Sequence, residues 1–374
     1  MSDLRAGSAI HVNLLWCAPG RVGGSEEYLV RQLSGLPDEM RCVVHLGRSL
    51  AQQRTELARH ELAVTRLNVD RRAVRIPFEH SLLATATRRA ALVHHGGGTM
   101  PLLRPDTPTV LTVHDLQFRR FPEYFSTSRL RYLRALMPRS ARAATVVTTP
   151  TAHVADDVSD AFGVDRDRIV VVPHGIPPVE ASGEDVNRLR RRVMGGGDGR
   201  MILFPAITHP HKGHQLLLDA FSRWAEPDDR LVLIGGQGRA EAEVSRAIAL
   251  HPRCDQIVRL GRVLDADRDA LVVAADLVVF PSEEEGFGAP VMEAMAAGTP
   301  VVASRIGALS EVIGDAGALV ERNPDAVAEA MTMVLSDPMP WVERGRERAA
   351  RFTLEASGSA LAGAYREAME RTAS

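Results

Sequence analysis

The stretch FPSEEEGFGAPVMEAMAAGTPVV, residues Phe280–Val302, says most about the fold of this chain. An apolar run that ends at Phe280 is followed by a Pro-Ser turn, three glutamates and a Gly-Phe-Gly step. Pro290 suits the first turn of a helix and Gly298 suits the position just past its end, so Glu293 is expected in the first helical turn. This strand–loop–helix–strand pattern places the polar loop at the carboxyl end of a parallel strand, where open α/β sheets bind ligands.

The composition of this loop indicates the chemistry that it could perform. Glycines leave backbone N–H groups accessible to sugar hydroxyls or phosphate. A carboxylate at a fixed position can accept hydrogen bonds from two ribose hydroxyls, as in dinucleotide sites. Three glutamates in a row would also suit an ordinary solvated loop, so the rest of the chain has to be considered.

Short apolar, β-branched runs alternate with helical patterns on both sides of the segment IPPVEASG, residues 176–183. Continuous apolar runs between helices are typical of parallel strands buried on both faces. The alternation therefore predicts an α/β protein of two Rossmann-like domains. We place the N-terminal domain at residues 1–178 and the second at 179–345.

The composition agrees with a two-domain globular protein. The chain has 374 residues, 45% of them apolar and 25% charged, with a net charge of −2. No apolar run approaches the roughly 18 residues of a membrane span, and the N-terminal segment is interpreted as a strand and not as a signal peptide. Three distant cysteines argue against a disulfide framework or a zinc site, so a cytoplasmic location is expected. Nothing in the sequence resembles a nucleic-acid-binding module.

The whole phrase PSEEEGFGAPVMEAMAAGTPV resembles the signature of the GT4 family of retaining glycosyltransferases, which have the GT-B fold. The resemblance implies two Rossmann-like domains that face each other across a cleft. The N-terminal domain would bind the acceptor and the C-terminal domain the nucleotide sugar. A C-terminal helix, residues 346–374, would pack back on the N-terminal domain.

The same resemblance implies roles for individual residues of the signature. Glu293 would bind the ribose of the nucleotide. Glu285, together with the backbone of Gly286, Phe287 and Gly288, would face the donor sugar and its phosphates.

Further segments resemble other parts of the family. His114, in the sequence VHD, would reach the donor sugar, and VPHGI would close the N-terminal domain. The remaining residues implied for the donor are Gly23 and Gly24 near the phosphates, Arg262 and Val263 near the base, and Gly307, Ala308 and Leu309 on the phosphate side.

One position departs from the family pattern. Ile207 stands where the family often has an arginine that holds the diphosphate, whereas Lys212 is retained and is the only lysine of the chain. An ammonium acts as a point charge on phosphate. The nearby His209, His211 and His214 are interpreted as surface or phosphate-proximal groups, because the resemblance implies neither a metal nor another cofactor.

The expected function is transfer of a sugar, with retention, from a nucleotide-diphospho-sugar to a hydroxyl of a glycan or lipid-linked acceptor in cell-surface polysaccharide or glycoconjugate synthesis. The resemblance implies that Lys212, His114 and Glu285 act in catalysis. The Pro-His-Lys pattern resembles a subset of the family that contains many mannosyl- and rhamnosyl-type enzymes, which favours GDP-mannose as the donor. Two alternatives remain at this point. One is a GT-B epimerase or phosphorylase, and the other is a non-catalytic sugar-nucleotide-binding subunit.

The arginine-rich segment 119–142 has two interpretations. Its arginines alternate with apolar and aromatic residues, which would suit peripheral contact with an anionic membrane at the inner face. The same pattern would suit a solvated helix face.

Overall fold

The computed structural model describes residues 9–18, 24–102 and 107–373. The chain forms two compact units. Unit 1 runs to Gly175 and also contains the C-terminal segment from Phe352, and unit 2 consists of Ile176–Arg351. Gly23, which was implied near the donor phosphates, lies outside the described residues.

Unit 1 is built on a parallel sheet of seven strands in the order β3-β2-β1-β4-β5-β6-β7. The strands are β1 (Ile10–Asn13), β2 (Cys42–Gly47), β3 (Glu61–Thr65), β4 (Leu92–His95), β5 (Thr109–Thr112), β6 (Val146–Thr149) and β7 (Ile169–Val171). All residues of β4, β5 and β6 are buried, as expected for central strands covered on both faces.

The helices of unit 1 surround this sheet. They are α1 (Gly24–Ser34), α2 (Arg48–Gln53), α3 (Arg72–Phe78), α4 (Ala84–Ala86), α5 (Gln117–Arg120), α6 (Thr127–Ala143), α7 (Ala152–Phe162) and, from the end of the chain, α16 (Leu354–Ala373). The bounds of α7 follow from local chemistry: the Thr151 hydroxyl accepts the N–H of Val154, and Gly163 ends the helix at φ +63°.

Between α3 and α4 the chain forms a π-helical turn, Glu79–Leu83. Pro77 lies inside α3 and has no N–H to donate, so the regular hydrogen-bond pattern is interrupted just before this turn. Such turns are rare and occur frequently at functional sites.

Unit 2 is built on a second parallel sheet, of six strands in the order β10-β9-β8-β11-β12-β13. The strands are β8 (Met201–Pro205), β9 (Arg230–Ile234), β10 (Ile257–Gly261), β11 (Leu277–Phe280), β12 (Val301–Ser304) and β13 (Ala318–Val320). Two parallel-sheet α/β units confirm the fold class predicted from the alternation of patterns.

Helices flank the strands of unit 2 in sequence. They are α8 (Gly183–Met194), α9 (His214–Trp224), α10 (Glu241–Ala249), α11 (Asp265–Ala274), α12 (Ala289–Ala297), α13 (Gly307–Ile313), α14 (Pro324–Ser336) and α15 (Met339–Ala349). In α12, Pro290 lies in the first turn and Gly298 follows the helix in the left-handed region, as predicted. The placement of Glu293 in the first turn was wrong: the helix begins at Ala289, so Glu293 is its fifth residue and lies in the second turn.

The divisions of the chain differ by a few residues from the expected boundaries at 178 and 345. The first falls after Gly175 and the second after Arg351. Residues 346–349 belong to α15, which packs against α12 within unit 2. The helix that belongs to unit 1 is therefore α16, not the whole of residues 346–374.

Helix α16 contributes side chains to the core of unit 1. Tyr365 is fully buried, and its hydroxyl lies 2.8 Å from Nδ1 of His94 on β4. Near the start of α16, the backbone at Gly358 lies very close to the backbone at Gly35. A Cβ on Gly358 would lie 1.9 Å from the carbonyl oxygen of Gly35. No helix of the described residues is both long and apolar enough to cross a membrane.

Candidate functional site

In the sheet of unit 2, the direction in which successive strands are added reverses between β8 and β11. The strands β8, β9 and β10 proceed to one side of this point and β11, β12 and β13 to the other. Loops that follow adjacent strands diverge at such a switch point and leave a crevice at the carboxyl ends, where α/β sheets bind ligands. Lys212 lies on the loop after β8 and Glu285 on the loop after β11, so the two predicted residues flank this crevice.

Lys212 and Glu285 form an ion pair. The Lys212 Nζ donates to Oε1 of Glu285 at 2.6 Å, and the two side chains are only 18% and 10% exposed. The ammonium also lies 5.5 Å from the ring centroid of Phe280, the last residue of β11. The charge of the only lysine is therefore held in a largely enclosed place and is already balanced by a carboxylate.

The backbone fixes the two loops against each other. The N–H of Glu283 donates to the carbonyl oxygen of His211 at 2.7 Å. Next to Lys212, Gly213 adopts φ +79°, and a Cβ there would lie 2.3 Å from the carbonyl oxygen of Pro281. Only glycine allows this approach, so the lysine is positioned by a local sequence requirement.

The glycine loop and the segment Gly307–Leu309 come together. Gly288 adopts φ +89°, and a Cβ on it would lie 2.4 Å from Cδ2 of Leu309. Phe287, Ala308 and Leu309 have buried side chains. The structure thus joins two segments that the family resemblance placed near the donor, and what they present outward is mainly backbone.

Glu293 is half-buried on α12, and its carboxylate interacts with Arg268 of α11. Burial by itself would lower the pKa of the Arg268 guanidinium, but Glu293 and two aspartates more than offset this, so the pKa is raised. Arg268 was not predicted. It lies four residues into an ordinary amphipathic helix, and nothing in its local sequence distinguishes it.

Arg262 and Val263 follow β10, the edge strand of the sheet. They are two strands removed from β8 and thus lie to one side of the Lys212–Glu285 pair. Arg262 is exposed and Val263 half-buried.

The three histidines near Lys212 are enclosed to different degrees. Burial lowers the pKa of His211 to about 3 and that of His214 to about 4, with further contributions from neighbouring cations. The pKa of His209 is lowered for the same reasons. These imidazoles are neutral at pH 7, so Lys212 is the charged group of its loop.

A small polar network supports the loop after β8 from the side. The Thr208 hydroxyl donates to Oε2 of Glu241 at 2.8 Å and accepts the N–H of Gly238 at 2.6 Å. Arg259 pairs with the same carboxylate at 2.5 Å. This network was not predicted either, because its members come from two loops, helix α10 and strand β10.

In unit 1, His114 follows β5 and lies between the rings of Trp16 and Tyr28, with centroid distances of 5.5 and 5.3 Å. Burial lowers the pKa of His114 to about 4. Its Nε2 lies 2.8 Å from the carbonyl oxygen of Gly96, so the neutral ring carries its proton there and Nδ1 is left as an acceptor. Gly24 is exposed at the start of α1, where an added Cβ would meet nothing within 4 Å.

No group of three or more His, Cys, Asp or Glu side chains that could hold a metal ion occurs among residues 9–18, 24–102 and 107–373.

Comparison with known proteins relates both units to one class. A family model described as Glycosyltransferase Family 4 matches residues 22–180, and one described as Glycosyl transferases group 1 matches residues 199–337. The O-antigen chain mannosyltransferase B of Escherichia coli is 30% identical over 273 residues, which cover 69% of this chain and 70% of that protein. A D-inositol 3-phosphate glycosyltransferase of Xylanimonas cellulosilytica is 32% identical over 249 residues, which cover 61% of this chain and 58% of that protein.

Among solved structures, Anabaena HepE in complex with UDP and glucose superimposes with a TM-score of 0.74. The superposition covers 95% of this chain and 98% of HepE at 19% sequence identity, so it shows a shared fold. The two parallel-sheet units and this likeness show the GT-B fold. The class of protein follows from the sequence matches: the chain belongs to glycosyltransferase family 4.

Proposed function

We propose that this protein transfers a sugar from a nucleotide-diphospho-sugar to an acceptor hydroxyl, with retention of the anomeric configuration and without a metal ion. The observation that carries the proposal is the enclosed Lys212–Glu285 pair at the switch point of unit 2. Membership in a glycosyltransferase family is the reason to prefer transfer to the epimerase, phosphorylase and binding-subunit alternatives.

Lys212 would stabilise the leaving group. As the glycosidic bond breaks, negative charge grows on the nucleoside diphosphate, and a positioned ammonium in an enclosed site stabilises it. The diphosphate would then replace Glu285 as the partner of Lys212. The freed carboxylate of Glu285 would accept hydrogen bonds from hydroxyls of the donor sugar.

The remaining donor contacts would come from the glycine loop and α12. The bare backbone at Gly288, packed on Leu309, would let the phosphates approach. Glu293 would accept hydrogen bonds from the ribose hydroxyls. Neutral His114 would accept a hydrogen bond from a sugar hydroxyl at Nδ1, a role for which its lowered pKa is suited.

Retention is proposed to result from front-face substitution. The bond from the anomeric carbon to the phosphate oxygen breaks, and the bond to the acceptor oxygen forms on the same face. The proton of the acceptor hydroxyl passes to the leaving phosphate oxygen. This scheme is consistent with the family resemblance and requires no protein nucleophile.

The relatives point to two donors and one biological context. The mannosyltransferase relative and the Pro-His-Lys pattern favour GDP-mannose, whereas HepE was solved with UDP and glucose. The name of the Escherichia coli relative refers to the O-antigen chain. We therefore favour GDP-mannose as the donor and cell-surface polysaccharide or glycoconjugate synthesis as the setting.

The decisive experiment is a donor panel of GDP-mannose, UDP-glucose and other sugar nucleotides. Nucleotide release is measured with and without EDTA, and the anomeric configuration of the product is read by NMR. Glu293→Gln should weaken nucleoside diphosphate binding by at most about 1.5–3 kcal/mol per hydrogen bond lost. Glu329→Gln, an exposed glutamate of α14, is the matched control and should bind as the wild type does.

Three results would overturn parts of this proposal. Unchanged nucleotide affinity of Glu293→Gln would remove the ribose assignment. Activity that is lost with EDTA and restored by Mg²⁺ or Mn²⁺ would contradict metal independence. An inverted product would exclude front-face substitution.

A peripheral membrane location at the cytoplasmic face is part of the proposal. Helix α6 has no acidic residue and exposes Arg131, Arg134 and Arg139. Basic side chains on one helix favour an anionic surface by about 1 kcal/mol each. The wild type should therefore co-sediment with phosphatidylglycerol vesicles, whereas the variant with Arg131, Arg134 and Arg139 all replaced by Gln should remain in the supernatant. Equal sedimentation of the two proteins would exclude this contact.

A further inference from the structure

Unit 1 has a pocket at its own switch point. The sheet order reverses between β1 and β4, and a cavity of about 470 Å³ opens beside the ends of these strands and β5. Its volume lies in the range of ordinary small-molecule sites. Because it is lined entirely by unit 1, it can be analysed separately from the donor residues of unit 2.

Two arginines of α3 line one side of this pocket. Arg75 is largely enclosed, with 16% of its side chain exposed, whereas Arg72 is exposed. Among the described residues, nothing accepts a hydrogen bond from the buried Nε of Arg75, and none of the described carboxylates pairs with Arg72. The pocket thus contains guanidinium donors with unused capacity.

Arg75 is held in place by the π-helical turn. The carboxylate of Glu79 lies 3.7 Å from Nε of Arg75 and accepts a hydrogen bond from Nδ2 of Asn13 at 3.1 Å. Nη1 of Arg75 donates to the carbonyl oxygen of Trp16 at 3.4 Å. A rare backbone turn, a buried carboxylate and an amide therefore position this one guanidinium.

The rest of the pocket lining includes aromatic and hydroxyl-bearing side chains. Phe118, Phe125 and Trp16 contribute rings, and the hydroxyls of Tyr132 and Thr99 lie 3.1 Å apart. Aromatic faces pack against the apolar faces of sugar or polyol rings, while the hydroxyls can exchange hydrogen bonds with ring substituents.

We propose that this pocket binds the acceptor, and that the acceptor is a sugar or polyol that carries a phosphate group held by Arg75 and Arg72. Two guanidinium groups match the charge and the geometry of phosphate. The pocket also contains His114, so its occupant would lie beside the residue that resemblance places at the donor sugar. The proposal rests on the proposed transferase function, since it names the second substrate of that reaction.

A binding assay can be built on the tryptophans of the chain. There are three, and Trp16 lines the pocket while Trp224 and Trp341 lie in unit 2. The double substitution Trp224→Phe and Trp341→Phe makes Trp16 the only tryptophan, so its emission can be excited selectively over that of the tyrosines. This protein is titrated with matched probes: glucose and glucose 1-phosphate, myo-inositol and myo-inositol 1-phosphate, and glucuronate. Calorimetry with the same probes gives a second readout.

We expect the phosphorylated probes to change the Trp16 emission and to bind at least about tenfold more tightly than the neutral ones. Arg75→Gln should weaken this binding by about 10- to 100-fold, the loss of one or two charge-assisted hydrogen bonds. The exposed Arg72→Gln should weaken it less and should not affect folding. Arg71→Gln removes the same charge one residue earlier, from an exposed residue that does not line the pocket, and should bind as the wild type does.

Equal binding of neutral and phosphorylated probes, or unchanged phosphate affinity in both Arg72→Gln and Arg75→Gln, would overturn the inference. So would a lack of binding at millimolar concentration, or glucuronate binding as tightly as the phosphates. In a separate titration, phosphatidylglycerol vesicles are added to the same protein and the Trp16 emission is recorded. If they alone change the Trp16 emission, the anion belongs to a lipid and the assignment to a free sugar or polyol phosphate is wrong.

The same measurements separate this inference from the proposed function. Hydrolysis of the donor without an acceptor reports on the donor site and should be unchanged in the control Arg71→Gln. If the donor is hydrolysed but the pocket binds no phosphate, only the acceptor assignment fails. If phosphate binds at Trp16 but no donor is ever consumed, the transferase proposal fails.

Discussion

Replacing Lys212 with alanine tests the centre of the proposed mechanism. The ammonium is 2.6 Å from Glu285 and largely enclosed. The substitution therefore removes both the proposed partner of the leaving diphosphate and the existing partner of a carboxylate. A catalytic and a structural effect are expected together and have to be separated.

The two effects have different sizes. Negative charge on the diphosphate is greater in the transition state than in the bound donor, so the loss of Lys212 should affect turnover more than donor affinity. Removing one such electrostatic donor costs about 10²–10³ in rate. The structural effect is smaller. Without Lys212 the mostly enclosed carboxylate of Glu285 has lost its ionic partner, which should lower the free energy of unfolding by about 1–3 kcal/mol.

A double-mutant cycle with Glu285 distinguishes them. Lys212→Ala, Glu285→Ala and the double variant are compared by single-turnover nucleotide release and by urea unfolding. The double variant should recover part of the lost free energy of unfolding, because no unpaired carboxylate remains, but it should not recover turnover. Lys212→Arg should restore only part of the rate, since a wide planar head replaces a compact charge.

Wild-type turnover in Lys212→Ala would refute this reasoning. Recovery of turnover together with stability in the double variant would also refute it, because Lys212 would then have only a structural role.

Two further predictions concern the packing of each unit. Gly288→Ala should destabilise the protein by about 1–3 kcal/mol and weaken nucleotide binding, because φ is +89° and the new Cβ would lie 2.4 Å from Leu309. The control is Gly183→Ala, where an added Cβ meets nothing within 4 Å. Equal shifts in melting temperature for the two variants would contradict the argument. Burial lowers the pKa of His94 from 6.5 to about 3 and that of His114 from 6.5 to about 4. Below pH 6.5 the unfolded chain therefore binds more protons than the folded protein. The free energy of unfolding should fall as the pH falls from 6.5 to 4. Urea unfolding across this range should show the slope, His94→Gln should reduce it, and a flat profile would show that these imidazoles are not held neutral.

The features that the sequence predicted are those with a local signal. Strand–helix alternation, the helix after the glycine loop and the end of that helix at Gly298 each depend on a few neighbouring residues. The one-residue error that placed Glu293 in the first turn of α12 has the usual cause, since a helix boundary is less well determined locally than the helix itself.

Contacts between distant segments were not predictable in the same way. Lys212 and Glu285 were each identified from their own loops, but their ion pair depends on β8 and β11 being neighbours in the sheet. Strand order is a property of the whole unit, which a local pattern does not specify. Arg268 was missed for the same reason, because its significance comes only from α12 lying beside it.

The arginines of the unit 1 pocket show a second reason why parts of the candidate sites could not be predicted from the sequence. Segment 71–83 mixes three arginines with apolar residues and contains Pro77, so its sequence does not distinguish a site from a surface connection. The π-helical turn that directs Glu79 toward Asn13 changes the register of the helix by one residue. That change decides which side chains enter the pocket, and no composition or spacing rule reveals it.

Both switch points share one physical arrangement, in which an enclosed cation is already paired with a carboxylate. In unit 2 the pair is Lys212 and Glu285, and in unit 1 it is Arg75 and Glu79. An unpaired charge in such a place would be costly, so the carboxylate keeps the cation ordered when no ligand is bound. If the diphosphate displaces Glu285 from Lys212 as proposed, one ionic partner is exchanged for another, and the net gain in binding is smaller than the new contact itself would provide. Such an exchange would favour a donor whose sugar hydroxyls also satisfy the released carboxylate of Glu285.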